Sequence, residues 1–190
     1  MAAPHAQVML VERLPGEDPG LDACAARVTA PDVLVLRFTN LWQALTELRY
    51  RQQAGTLTAL TRLDLVGHGE PGALSLGDAQ LSGDPALQRV LVQLVNPPAL
   101  VTAATVLRLL GCGVGVGGQP ADLPLGAAGD GPLLALALKR RLGCRVQVAM
   151  AGVDPHDFAA TGFATTAALA EIAGDAGCGL VAATAAPAAP

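Results

Sequence analysis

The chain has 190 residues, a length that suits one ordinary domain or at most two small ones. A domain of this size buries roughly 70% of its unfolded surface, so a hydrophobic core forms without disulfides or metal ions. With 52% hydrophobic and only 15% charged residues, the composition excludes an intrinsically disordered chain. The net charge of −4, with no basic cluster beyond residues 139–141, argues against nucleic acid as a partner.

The sequence predicts neither a membrane span nor a secretory signal. The longest largely apolar run, Ala99–Leu107, is well short of the ~20 residues that a span needs. The N-terminus lacks a basic start followed by an apolar stretch. The cysteines are too widely spaced for a metal knuckle and too few for a disulfide framework; they are Cys24, Cys112, Cys144 and Cys178. We therefore expect a cytoplasmic protein with free thiols, no membrane partner, and no metal or organic cofactor.

The first half of the chain contains a β-α-β pattern. The first 31 residues are rich in proline, glycine and acidic residues and hold one short strand candidate, Val8–Val11. Val33–Phe38 is typical of a buried strand, and Asn40 is a suitable N-cap for a helix that Gly55 would close. Arg62–Gly67 is the next strand. This succession predicts two parallel strands joined by a right-handed crossover.

The second half of the chain continues the alternation. A small hairpin is predicted at Ala73–Leu76 and Ala79–Ser82, with Gly77-Asp78 as its turn, and Asp84-Pro85 begins a second helix. The remaining predicted elements are a strand at Thr105–Leu110, a helix at Pro132–Leu142 capped by Asp130, a strand at Arg145–Met150 and a helix at Thr165–Ala173.

This alternation of strands and helices predicts an α/β fold, a three-layer α/β/α sandwich with a mainly parallel sheet. The domain is expected to span residues 32–180, between an N-terminal extension at 1–31 and a low-complexity tail at 181–190. In such sheets, ligands bind beyond the carboxyl ends of the strands. The candidate functional residues are therefore those that directly follow the predicted strands.

Two reactive residues flanked by glycines follow neighbouring predicted strands. One strand ends in Gly67-His68-Gly69 and the next in Gly111-Cys112-Gly113. Because parallel neighbours lie ~4.8 Å apart, His68 and Cys112 would emerge side by side. A nearby imidazole promotes ionisation of a thiol or takes its proton, which makes the sulfur a nucleophile. The glycines let the backbone turn sharply, and the N–H groups around Cys112 are candidates for an oxyanion hole.

Two charged residues stand four positions before these candidates. Asp64 precedes His68, and Arg108 precedes Cys112. An even offset places each charge on the same strand face as its candidate. Because isolated charges in buried strands are costly, we expect Asp64 and Arg108 to lie opposite each other as an ion pair.

A resemblance to a known family is carried by two segments, LVGHGEPGALSLGDAQLS and VLRLLGCGVG. They resemble the caspase-like cysteine peptidases of clan CD, in which one strand ends in His-Gly and the next major strand in Cys. They are closest to the caspase-like domain of unknown function of large bacterial surface proteins, and more loosely similar to CHAT peptidase domains. The resemblance covers Val33–Met150. It implies a cysteine endopeptidase that cleaves a polypeptide substrate, with His68 as general base, Cys112 as nucleophile, and Gly69 and Gly113 nearest the oxyanion site.

Three charged residues are candidates for a substrate pocket. Asp154 or Asp157, past the strand at Arg145–Met150, would bind a basic substrate side chain, whereas Arg37 would bind an acidic one; the sequence favours neither. His156 is either a cleft residue that substitutes as base or a solvated loop residue. The remaining cysteines are expected to be ordinary thiols, which pack as small hydrophobic side chains.

Two other functions stay open. The alternative to the peptidase is a non-catalytic caspase-like interaction module, which binds a protein partner and whose His-Cys pair does not react. Residues 113–118 also contain GxGxxG after a strand, the pattern of a nucleotide-binding Rossmann-like module. In that module the motif begins a helix, whereas Pro120 and Pro124 interrupt one here.

Overall fold

The computed structural model describes residues 4–13, 16, 18–82, 90–117, 130–172 and 180–182. Its α-helices are α1 (Pro19–Arg27), α2 (Leu41–Gln53) and α3 (Gly131–Leu142). Its first six strands are β1 (His5–Glu12), β2 (Val33–Phe38), β3 (Leu57–Val66), β4 (Gly69–Glu70), β5 (Ala73–Leu76) and β6 (Ala79–Leu81). The later strands are β7 (Val106–Leu110), β8 (Arg145–Ala149), β9 (Phe158–Ala159), β10 (Gly162–Phe163), β11 (Leu169–Ile172) and β12 (Leu180–Ala182).

A seven-stranded sheet forms the centre, in the order β12-β11-β8-β7-β3-β1-β2. Every pairing from β8 to β2 is parallel, whereas β11 and β12 run antiparallel to their neighbours. The chain is therefore a mixed α/β protein with a mostly parallel central sheet, which is compatible with the predicted α/β sandwich.

Alternate residues of the strands pack into two separate cores. The core that contains Leu65 and Leu109 also contains the buried residues of α2 and α3. The core that contains Val66 and Leu110 also contains those of α1 and of the β9–β10 hairpin. Because successive strand residues point to opposite sides, these cores lie on the two faces of the sheet. We call them the α2–α3 face and the α1 face.

Capping residues stabilise the ends of two predicted helices. The Asn40 side chain accepts the N–H of Gln43 at 2.9 Å and caps α2. Asp130 caps α3 by accepting the N–H of Leu133 at 3.0 Å. Gly143 caps the C-terminus of α3, and its φ of 65° is a left-handed conformation that favours glycine. These caps supply hydrogen bonds to helix-end amides that have no partner within the helix.

The N-terminal residues supply an interior strand of the seven-stranded sheet. The strand candidate Val8–Val11 belongs to β1, which lies between β2 and β3 and pairs with both. β2 and β3 are therefore parallel, as predicted, but they are not neighbours. Helix α1 was not predicted, because it has only nine residues and buries just Leu21 and Cys24. β1 and α1 thus join the predicted N-terminal extension to the domain.

The prediction of a helix at Thr165–Ala173 is wrong. Thr166–Ala168 forms one 3₁₀ turn, and the chain continues as β11, which pairs with β8 and β12. Alanine favours a helix, but pairing beside β8 buries Leu169 and Ile172, and these tertiary contacts override the local preference. The first two residues of the predicted tail, 181–182, belong to β12.

Some predictions fall partly or wholly outside the described residues. They concern the start of the helix from Asp84, the last residue of the glycine motif with the loop after it, Cys178, and the predicted tail from residue 183. The structure resumes at Val90: Val90 and Leu91 are helical, and Val92–Val95 then forms a 3₁₀ turn before Asn96. In the part of the chain that is described, no helix has the length and apolar run that crossing a membrane takes.

Candidate active site

The strands that precede His68 and Cys112 are parallel neighbours, as predicted. β3 pairs with β7 in register, with Val66 opposite Leu110 at their carboxyl ends. One residue further along, the Gly67 N–H donates to the Leu110 carbonyl at 3.3 Å. The segments that carry His68 and Cys112 therefore leave the sheet at the same edge.

The two segments are in close contact at Gly69. A Cβ atom at this position would lie 2.5 Å from the Gly111 carbonyl carbon and 2.6 Å from the Cys112 nitrogen. A Cβ atom on Gly111 would lie 2.9 Å from the Gly69 Cα. Contacts this short are not tolerated against backbone, so glycine is required at both positions. The glycines beside His68 and Cys112 thus allow the two strand ends to meet.

His68 and Cys112 line one cleft of about 110 Å³ on the α1 face of the sheet. Helix α1 contributes Leu21 and Cys24 to its wall, and Val153 from the segment after β8 closes another side. Cys112 is exposed, whereas Cys24 is buried. The reactive atom available to a ligand in this cleft is therefore the Cys112 sulfur.

The side chains of His68 and Cys112 each have a different neighbour. His68 Nε2 lies 2.6 Å from Asp18 Oδ2, and Cys112 Sγ accepts the Val153 N–H at 3.5 Å. Both residues belong to the described part of the chain, and no hydrogen bond joins the imidazole to the thiol. The His68 side chain is 58% exposed, which leaves it room to turn toward the sulfur. Catalytic hydrogen bonds often form only in the complex with substrate.

Asp18 is a site residue that the sequence reasoning missed. It is the N-cap of α1, and its Oδ1 accepts the Leu21 N–H at 3.1 Å while Oδ2 faces His68. Burial raises the pKa of Asp18, but the hydrogen bonds from Leu21 and His68 and the charge of His68 outweigh it, so the pKa is lowered. The available signal was Asp18-Pro19, an N-cap residue followed by proline at the first helical position.

Glu12 holds the segment that carries His68. It is fully buried at the end of β1. Its Oε2 accepts the His68 N–H at 3.0 Å, and its Oε1 accepts the Ser75 hydroxyl at 2.7 Å and the Gly77 N–H at 2.9 Å. These bonds fasten the His68 backbone to the β5–β6 hairpin. Sequence reasoning missed Glu12 because all three partners are distant along the chain.

The glycine-rich turn after Cys112 uses its own amides. The Gly113 N–H donates to the Ala151 carbonyl at 3.0 Å, and the Gly115 N–H to the Ala149 carbonyl at 2.8 Å. Gly113 therefore does not offer the free N–H group that the oxyanion prediction required. For the same reason, these amides are not available to surround a phosphate, as a nucleotide-binding turn would.

The acidic pocket candidates stabilise a turn beside the cleft. Asp154 accepts the His156 N–H at 2.8 Å, and Asp157 accepts the Asp154 N–H at 2.8 Å. Together they cap the 3₁₀ turn Pro155–Asp157. Neither carboxylate lines the cleft, although Val153 and Pro155 beside them do.

Arg37 and His156 also lie apart from the reactive side chains. Arg37 forms an ion pair with Asp22 of α1 and lines a separate pocket at the end of β2. His156 Nδ1 contacts Arg27 Nη2 at 3.1 Å. Because a guanidinium only donates hydrogen bonds, this nitrogen of His156 acts as an acceptor toward Arg27.

The predicted ion pair below the cleft is confirmed. Asp64 lies opposite Arg108 in the β3–β7 register. Arg108 donates from Nε to Asp64 Oδ1 at 2.6 Å and from Nη2 to Oδ2 at 2.5 Å, and both side chains are buried. Its Nη1 reaches the Phe163 carbonyl at 3.0 Å, which ties the β9–β10 hairpin to the sheet. A bidentate pair in which the third guanidinium nitrogen also has an acceptor suits a buried arginine.

The other described cysteines differ from Cys112 in their surroundings. Burial, together with the charges of Asp154 and Asp18, raises the pKa of the Cys24 thiol to about 11. Burial likewise raises the pKa of Cys144 to about 11. Both thiols therefore stay protonated and unreactive at neutral pH. Across the described ranges, no group of three or more His, Cys, Asp or Glu side chains is arranged to hold a metal ion.

His68 and Cys112, the two residues that the sequence singled out, line the same cleft. No protein-family model matches the chain, and no curated protein matches its sequence.

Proposed function

We propose that the protein is a caspase-like cysteine endopeptidase, with Cys112 as nucleophile and His68 as general base. The observation that carries the proposal is that both residues line one cleft at the carboxyl edge of the sheet. Cys112 is an exposed thiol in a concave site, and an imidazole lies in the same wall. A thiol and an imidazole in one cleft are the nucleophile and the general base that a cysteine hydrolase requires.

The reaction follows from the chemistry of these two groups. His68 takes the Cys112 proton as the sulfur attacks the scissile carbonyl, and a tetrahedral intermediate forms. The imidazolium then donates that proton to the leaving amine, and the peptide's acyl group remains on sulfur as a thioester. Water, deprotonated by His68, hydrolyses the thioester and restores the thiol. Every proton is carried by His68, so the reaction needs neither a metal nor an organic cofactor.

Two structural features favour this chemistry at this place. The Glu12 carboxylate accepts the His68 N–H and so fixes the backbone of His68 beside the cleft. Gly69, whose backbone lies against the Cys112 nitrogen, remains the candidate oxyanion donor, because the Gly113 N–H is already bonded to Ala151. The proposed substrate is a polypeptide, and the proposed location is the cytoplasm.

One observation favours the second candidate, a non-catalytic caspase-like module that binds a protein partner. His68 is hydrogen-bonded to Asp18 and not to Cys112, so the described site lacks a preformed thiol–imidazole pair. In that function the glycine contacts and Glu12 would keep a binding surface in shape, and Cys112 would have no chemical role.

Cleavage of a diverse peptide library, followed by mass spectrometry, distinguishes the two candidates. We expect wild type and Cys144→Ala to cleave and Cys112→Ala to be inactive, because Cys144 is a buried thiol outside the cleft and serves as the matched control. A peptidyl electrophile should label Cys112 in the same preparations. Cleavage that survives in Cys112→Ala would contradict the assignment. If wild type neither cleaves nor takes up the electrophile at Cys112, the result favours the binding module.

A further inference from the structure

We propose that Asp18 is the positioning residue of this site: it holds the His68 imidazole in the tautomer that takes up the Cys112 proton. The inference rests on the proposed peptidase function and adds to it a residue from the first 31 positions of the chain. Asp18 acts through His68 and does not itself contact the reacting atoms.

The geometry specifies which imidazole nitrogen serves as the base. Asp18 Oδ2 lies 2.6 Å from His68 Nε2. An ionised carboxylate only accepts hydrogen bonds, so Nε2 carries the proton of the neutral ring. The lone pair is then on Nδ1, which is the nitrogen left to accept a proton from sulfur.

Asp18 is also held firmly enough to impose this orientation. Its side chain is only 16% exposed, against 58% for His68. Its second oxygen accepts the Leu21 N–H at 3.1 Å, which anchors the carboxylate to the first turn of α1. A side chain fixed by one oxygen and directing a histidine with the other has the arrangement of an orienting acid.

Asp18 neither takes up nor releases a proton during the reaction. The S–H bond of Cys112 breaks, its electron pair stays on sulfur, and the proton forms the Nδ1–H bond of His68. The imidazolium then has both nitrogens protonated, and its Nε2–H faces the Asp18 carboxylate, which stabilises the positive charge. The lowered pKa of Asp18 keeps that carboxylate ionised at neutral pH.

The other carboxylates near the cleft are bound to different partners. Asp22 pairs with Arg37, and Asp154 and Asp157 cap the turn after β8. Glu12 accepts hydrogen bonds from backbone and hydroxyl donors, including the His68 N–H, but not from the imidazole. Among the described residues, Asp18 is thus the carboxylate that contacts the imidazole ring.

Asp18→Asn tests the proposal, because asparagine is an equally good N-cap and preserves α1 while it removes the charge. Asp22→Asn, one helical turn away, is the matched control. The first readout is the ¹⁵N NMR signature of the His68 ring, assigned with a His68→Gln variant. The second is the rate at which iodoacetamide alkylates Cys112 near neutral pH, measured also in His68→Ala. Circular dichroism and thermal unfolding confirm that both variants fold.

We expect wild type and Asp22→Asn to show the Nε2–H tautomer of neutral His68, and Asp18→Asn to lose that preference. The alkylation rate of Cys112 should fall by about tenfold or more in Asp18→Asn, as part of the 10²–10⁴-fold that a general base contributes. An unchanged tautomer and rate in Asp18→Asn, with a slow His68→Ala, would overturn this inference and leave the proposed function standing. A His68→Ala variant as fast as wild type would overturn both.

Discussion

On the α2–α3 face of the sheet, Leu65 and Leu109 pack among other aliphatic side chains, whereas the α1 face carries a row of polar residues. That row crosses four neighbouring strands in register, with Asp64 opposite Arg108, Gln147 next and Glu171 after it. Its members bond to one another, from Arg108 to Asp64 and from Gln147 to Glu171. Polar groups at this depth are tolerated only because they satisfy one another.

The two faces of the sheet therefore have different roles. The α2–α3 face mainly stabilises the fold, and the α1 face carries the site. Each leucine buried on the α2–α3 face contributes on the order of 1.5–3 kcal/mol, without directional requirements. The α1 face obtains less from apolar burial, because it is covered by the nine residues of α1 and by the short β9–β10 hairpin. Its ion pair holds that hairpin at a defined place. The cleft with His68 and Cys112 opens on this face, at the end of the same two strands.

The largest effect is expected from breaking the ion pair. Arg108→Met leaves the Asp64 carboxylate buried without its bidentate partner, and we expect a loss of about 3–5 kcal/mol in the free energy of unfolding. The double variant Asp64→Leu/Arg108→Met replaces the pair by apolar side chains and should recover part of that loss. The recovery is incomplete because Arg62, whose Nε lies 3.3 Å from Asp64 Oδ2, then loses its carboxylate. Urea unfolding measures both. A single variant that loses less than the double variant would contradict this account of the α1 face.

The next effect is expected where the two strand ends meet. Gly69→Ala places a methyl group against the Gly111–Cys112 backbone, which must shift. We expect a cost of about 1–3 kcal/mol in the free energy of unfolding, typical of overpacking. The separated strand ends should also slow Cys112 alkylation. Gly152→Ala is the control, because a Cβ atom there would meet nothing within 4 Å. Equal stability and equal alkylation rates for the two variants would argue against close approach at Gly69.

The smallest effect is expected from the cap of α1. Asp18→Ala removes the N-cap hydrogen bond and should lower the free energy of unfolding by about 1 kcal/mol at neutral pH. Because the folded pKa of Asp18 is lowered, its ionised form stabilises the fold above the unfolded value of 3.8. That contribution disappears as the pH falls through the lower, folded value. Thermal unfolding of wild type and Asp18→Ala should therefore converge in acid; a constant gap would contradict this role.

Local signals predicted the elements that carry the site. The apolar runs of β2, β7 and β8, the Asn40 and Asp130 caps and the Gly77-Asp78 hairpin turn each depend on a few adjacent residues, and the structure has them. The ion pair of Asp64 and Arg108 was also predictable, because strand parity and the cost of burying a charge are general.

The remaining features depend on contacts between distant residues. Glu12 and Asp18 take their roles from His68, which lies 56 and 50 positions away in the sequence. The segment at Leu169–Ile172 becomes a strand because β8 offers it an edge, against the helix preference of its alanines. Local patterns in a single sequence do not show which of these distant residues come into contact.

The pH dependence of iodoacetamide alkylation at Cys112, in wild type and His68→Ala, tests the central claim most directly. Selectivity for Cys112 over Cys24 and Cys144 follows from exposure alone, so the informative quantity is the effect of His68. We expect the Cys112 alkylation rate near neutral pH to fall by about tenfold or more in His68→Ala. The difference should shrink at alkaline pH, where the thiol ionises without help. Superimposable profiles for the two proteins would contradict a coupled His68–Cys112 pair.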